Sequence, residues 1–191
     1  MKKLILVLAM AGVLVIAHGQ GTVFFANVNA RGLPNAPVYE SDGLTLLSGS
    51  QFMAELFAGP SSSSLGAIAM TGFLTGSQAG YFDGGEQTIN SVSGGGTAWI
   101  QIDVWNTASG ASFLQARASG LADSWWQSPV FMNSTGNPNN FGGGGPTPPS
   151  PLTGLGTSPG FLNSVPEPSV LALSCFGFTV VFLGIRRHRK M

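Results

Sequence analysis

The sequence predicts an all-β body, an antiparallel sandwich or jelly-roll-like domain, and three observations predict it. Short runs rich in β-branched and aromatic residues alternate with period two. Glycine-, asparagine- and serine-rich turn signals separate these runs, about ten residues apart. No stretch of the body sustains a helical period. The first run, Thr22–Asn29, reads TVFFANVN and ends in turn formers. Gln51–Ala58 alternates, with Phe52, Ala54 and Leu56 on one face and Met53, Glu55 and Phe57 on the other. Leu65–Leu74 is apolar with small residues. The clearest run is Thr97–Asn106, where Ala98, Ile100, Ile102 and Val104 face one way and Trp99, Gln101, Asp103 and Trp105 the other. A turn at Ser109-Gly110 then leads into Ser112–Ala118, so that 97–118 reads as a hairpin. Asp42-Gly43, Gly59-Pro60 with its serines, Asp83-Gly84-Gly85 and Gly94-Gly95-Gly96 supply the remaining turns.

Both ends of the chain read as addresses. Lys2-Lys3 precedes a thirteen-residue apolar run, Leu4–Ile16, and Ala17-His18-Gly19 sets small residues where signal peptidase inspects them. Residues 1–19 are therefore expected to be a secretory signal peptide, cut before Gln20 or one residue on. At the other end stand Val165-Pro166-Glu167-Pro168, the uncharged run Val170–Ile185, and the cluster Arg186, Arg187, His188, Arg189, Lys190. As a helix, sixteen residues cover about 24 Å, against about 30 Å of bilayer core. The four cations supply a cytoplasmic stop and the prolines block inward extension of the helix, so a single C-terminal transmembrane helix is expected.

This ordered tail, residues 165–191, resembles the PEP-CTERM sorting signal of exopolysaccharide-producing Gram-negative bacteria. The resemblance implies processing by the membrane protease exosortase at Val165, Pro166, Glu167 and Pro168. It also implies retention by the 170–185 span, a stop at Arg186, Arg187, Arg189 and Lys190, and delivery to the cell surface or extracellular matrix. The span is a little short for that family and contains Cys175.

Between the addresses, residues 20–132 are expected to form the β-rich exported domain and 133–164 a linker. The linker carries four consecutive glycines, Gly142–Gly145, and six of the chain's twelve prolines fall between Pro138 and Pro159. Such a composition predicts a flexible or extended tether.

Composition narrows the chemistry further. Only 8% of the 191 residues are charged. Residues 20–164 hold Arg31 and Arg117 against Glu40, Asp42, Glu55, Asp83, Glu86, Asp103 and Asp123, a net charge of −5. That balance argues against nucleic acid as a partner. Neither histidine, no cysteine and no lysine falls between Gln20 and Ser164. A Ser-His-Asp triad, a thiol nucleophile, a Schiff-base lysine, a His/Cys zinc site and a disulfide are thereby excluded from the body. No cofactor and no metal is expected, and the chain is not expected to be an enzyme.

The expected function is a non-catalytic structural or adhesive protein of the cell surface or exopolysaccharide matrix. Its processing partners would be signal peptidase and exosortase, and the membrane would hold it until cleavage. Two alternatives remain. Trp99 and Trp105, with Trp125 and Trp126, could stack on sugar rings as a carbohydrate-binding module, although core packing is the expected role of these rings. A carboxylate pair could hydrolyse glycans, but no pair stands out by spacing. Asp83-Gly84-Gly85-Glu86 lacks the ligand density of a calcium loop and reads as a solvated turn. Asn133-Ser134-Thr135 matches a glycosylation sequon by chance.

Overall fold

The computed structural model describes residues 19–28, 34–139 and 145–164. The expected signal peptide up to His18, the processing motif, the membrane span and the basic stop lie outside them. Among the described residues no helix is long and apolar enough to cross a membrane.

The body is mostly antiparallel β-structure, as its alternation predicts. Among the described residues ten strands follow in order: β1 (Gln20–Ala26), β2 (Val38–Tyr39), β3 (Phe52–Ser61), β4 (Ser64–Gly72), β5 (Asp83–Ser93), β6 (Thr97–Asn106), β7 (Trp125–Gln127), β8 (Phe131–Ser134), β9 (Ser150–Pro151) and β10 (Gly160–Phe161). The larger sheet runs β4-β3-β6-β7, with β8 also on β6; a second runs β5-β1-β9, and β10 pairs with β2. The β1–β9 and β2–β10 pairs are parallel.

The long central strand β6 shows why the pattern works. Ala98, Ile100, Ile102 and Val104 are completely buried; on β3 Ala58, Leu56 and Ala54 stand opposite Ile100, Ile102 and Val104 and are buried too, as is Phe52. Val23, Phe25 and Ile89 of the smaller sheet join the same apolar cluster. A chain of rings, Phe25–Phe82–Phe73–Phe52, crosses it with centroids 5.0, 5.6 and 6.4 Å apart. At the β3–β4 hairpin, Gly59 is required by close approach, since a Cβ there would overlap the Ser64 carbonyl oxygen.

A buried asparagine ties three segments together. Asn27, fully buried, donates to the carbonyls of Ala36 (2.9 Å) and Gly80 (3.0 Å) and accepts from Phe82 N–H (2.7 Å). Burying an amide is tolerable only when its groups are satisfied in this way.

Three expectations are corrected. Ser112–Ala118 is not a second hairpin strand: Phe113–Ala118 is a helix, α1. Ser112 Oγ accepts from Gln115 N–H at its start, and Gln115 Oε1 accepts from Ala111 N–H (2.9 Å), a reciprocal cap. Phe113 and Ala116, three residues apart, are its buried side.

Nor is Asp83–Glu86 a free turn. It opens β5, with Asp83 opposite Ala26, Glu86 opposite Phe24, and a register shift between them. Gly85 takes a φ of +70° there, the left-handed geometry glycine permits, and its N–H is held by Asp83 Oδ1 (2.9 Å).

The largest correction concerns 133–164. In its described residues this segment is part of the fold, not a tether. β9 adds to β1, β10 adds to β2, and Leu152 (0% exposed) and Leu162 (2%) enter the main core. Gly160 lets the Trp126 ring lie against the backbone, where a Cβ would stand 2.8 Å from it. Asn133 is itself buried, its amide bonded to the Ser134 and Pro151 carbonyls (2.9 and 3.1 Å) and its oxygen to Gly154 N–H (3.1 Å). Asn163 finishes the join: its Oδ1 accepts from Ser124 N–H, Ser124 Oγ and Trp125 N–H (3.0, 2.9 and 2.9 Å), and its amide donates to the Leu121 carbonyl (2.7 Å). Isolated apolar anchors and two structural asparagines thus hold a sequence whose average composition is that of a linker.

Candidate functional site

Strand register brings the body's most distinctive polar group together on the outer face of the larger sheet. Met70, Glu55, Asp103 and Gln127 stand side by side on β4, β3, β6 and β7, each opposite the next. Glu55 and Asp103 are therefore directly facing cross-strand neighbours, with Cβ atoms about 4.5–5.5 Å apart by sheet geometry. Like charges in that position repel, and the surroundings answer the repulsion only in part.

Asp103 is 5% exposed, and burial pushes its carboxyl above the usual range. A hydrogen bond from Gln127 Nε2 (2.8 Å) and the Arg117 charge pull in the opposite direction without cancelling the effect. Glu55, half-buried, is raised by desolvation first and by the Asp103 charge second. Both carboxyls are thus held above their ordinary range, Asp103 by burial and Glu55 by desolvation and the facing Asp103 charge.

The neighbouring rows on this face differ in character. Toward α1, Met53, Trp105 and Trp125 align across β3, β6 and β7. They form a small second core with Phe113 and Ala116 of the helix. Phe113 meets Trp125 edge-on at 5.8 Å, and the Arg117 guanidinium stands 4.9 Å from the Trp125 ring centre. In the other direction Phe57 faces Gln101, whose amide donates to the Ser128 carbonyl (3.2 Å).

The four tryptophans do not make one platform. Trp105 is 2% exposed, inside the second core that Trp125 covers, while Trp126 packs on the main core. Trp125 and Trp126 lie within the sheet, opposite Trp105 and Val104. Trp99 alone belongs to neither cluster. It is half-buried, lies opposite Gly59 and the exposed Met132, and shares the outer face with Asp103 about 13 Å along the strand. Among the described residues no three His, Cys, Asp or Glu lie close enough together to hold a metal ion.

Sequence reasoning noted that Glu55 and Asp103 lie in strand-like runs but did not pair them, because nothing local fixes the register between two strands so far apart in the chain. The signal available was weak: each is the acid in the middle of an otherwise apolar or aromatic alternating run. A scan against protein-family models finds no match to the chain, nor does a search of curated proteins or of solved structures.

Proposed function

We propose that this chain is a non-catalytic exported protein with a structural or adhesive role at the cell surface or in an exopolysaccharide matrix. Its two sheets act as one sandwich-like body. The leader is removed after Gly19, the apolar 170–185 segment halts the chain in the membrane, and exosortase cuts at Val165–Pro168. The supporting observation is the ordered tail: a proline-bracketed acid, an apolar run and a basic stop. It begins two residues after Asn163, whose side chain is anchored to the body by four hydrogen bonds. Terminal-peptide mass spectrometry on membrane and medium fractions tests this. A released product beginning at Gln20 and ending near Pro168 supports it, and retention of 170–191 in all material refutes the sorting step.

A second reading is favoured by one observation, the facing carboxyls Glu55 and Asp103 beside Gln127 and Gln101 on a partly open sheet face. The carboxyl oxygens of half-buried Glu55 are placed to accept from the hydroxyls of a sugar, so the same protein would carry a carbohydrate contact. Retention on the producer's polysaccharide that is lost in Glu55→Gln supports this reading. Release of new reducing ends, lost in the same variant, would instead support the hydrolase reading.

A further inference from the structure

The amino-terminal end of β1 carries the inference. Gln20 is exposed, pairs with Ser93, and its side-chain amide makes no hydrogen bond among the described residues. Gln20 opens onto a cleft of about 200 Å³ lined by Gly19, Asn90, Ser91, Val92 and Ser93, none of them charged. Beside it Gly19 is buried, and its carbonyl accepts from Gly94 N–H (2.6 Å).

Removal of a leader after Gly19 gives up the bond from Gly94 N–H to the Gly19 carbonyl and turns the residue 20 nitrogen into an α-ammonium group, with no carboxylate lining the cleft to meet it. At exposed Gln20 the α-amine is open to solvent, and α-amines of ordinary pKa, about 8, are partly unprotonated near neutrality and so free to react. We propose that Gln20 is a modification site, at which the mature amino terminus closes to pyroglutamate. This inference rests on the proposed cut between Gly19 and Gln20. The free α-amine attacks its own side-chain Cδ. A nitrogen–Cδ bond forms, the Cδ–Nε2 bond breaks, and the amide nitrogen leaves as ammonia with the displaced proton. No oxidant or co-reactant is needed. The product restores a neutral amide on the residue 20 nitrogen, keeps the residue 20 carbonyl for the strand, and leaves an end that ordinary aminopeptidases do not open.

The test is mass spectrometry and Edman sequencing of the protein recovered from its native fractions, with and without pyroglutamyl aminopeptidase. The expected amino-terminal peptide begins at residue 20, is lighter than the unmodified peptide by one ammonia, and yields no Edman sequence until the aminopeptidase removes the ring. Gln20→Ala, exported in parallel, should give an open amino terminus that reads directly as Ala-Gly-Thr-Val. A peptide beginning with an unmodified Gln20 overturns the cyclisation while leaving the cut intact. A peptide beginning at any other residue overturns the cut, and the cyclisation with it.

Discussion

Replacing Asn27 should separate a hydrogen-bonded core from one held by apolar burial alone. Asn27→Ala deletes three hydrogen bonds of 2.7–3.0 Å. The Gly80 carbonyl keeps its bond from Val38 N–H (2.9 Å), so the Ala36 carbonyl and Phe82 N–H are the groups left without this partner. At about 1–3 kcal/mol for each buried group stranded, the loss should be about 4 kcal/mol. That is a large part of a typical 5–15 kcal/mol total, and with a urea slope of about 2 kcal/mol/M it lowers the midpoint by about 2 M. Asn27→Asp sharpens the test. It keeps the acceptor for Phe82 but turns a carboxylate toward the Ala36 and Gly80 carbonyls in a fully buried site. The unfavourable ionised form would raise that carboxyl's folded pKa, so Asn27→Asp should be less stable than Asn27→Ala at neutral pH and recover as pH falls. Urea titrations of the body, residues 20–164, at neutral and mildly acidic pH provide the measurement. The reasoning is refuted if Asn27→Ala lies within about 1 kcal/mol of the parent, or if Asn27→Asp matches it at neutral pH.

Leu152→Ala should cost about 2–5 kcal/mol in the same assay, as a core truncation does; a loss under about 0.5 kcal/mol would mean that the segment is a tether after all. The acid pair sets a pH dependence. Glu55 and Asp103 both have folded pKa values raised above their unfolded ones. Their ionisation therefore opposes folding: stability is highest below the unfolded carboxylate range, about pH 4, and declines as pH rises through the folded values. Asp103→Asn, which can still accept from Gln127, should flatten that decline, and an unchanged slope would show that the pair is not its source. Trp105→Ala should cost about 3–5 kcal/mol through the second core, whereas Trp99→Ala should leave the melting transition nearly in place. Polysaccharide retention that survives Trp99→Ala would remove this ring from any sugar contact.

Strand β6 was legible to the residue because its apolar alternation is uninterrupted and its inner face is wholly buried. β5 was not legible. Its Gln87–Ser93 half reads QTINSVS and buries only Ile89 and Val92, a spacing of three that carries no strand period. Helix α1 could have been found from Ser112 and Gln115, a serine followed three residues later by glutamine. In six residues, however, one capping pair must outweigh a β-leaning background. The carboxy-terminal segment was misread because averaging over proline and glycine hides single anchors such as Leu152 and Leu162. The Glu55–Asp103 pair belongs to tertiary register, which no local pattern encodes.

The smaller sheet also fixes a schedule. β1 emerges first from any amino-end-first passage, yet Val23 pairs with Ser150, Phe24 with Pro151, and Val38 of β2 with Gly160. Closing those pairs requires loops that span nearly the whole body, and contacts so distant in sequence form slowly. The β1–β9 and β2–β10 pairs therefore close last, after β3, β4 and β6 and the β1–β5 pair have all the residues they need.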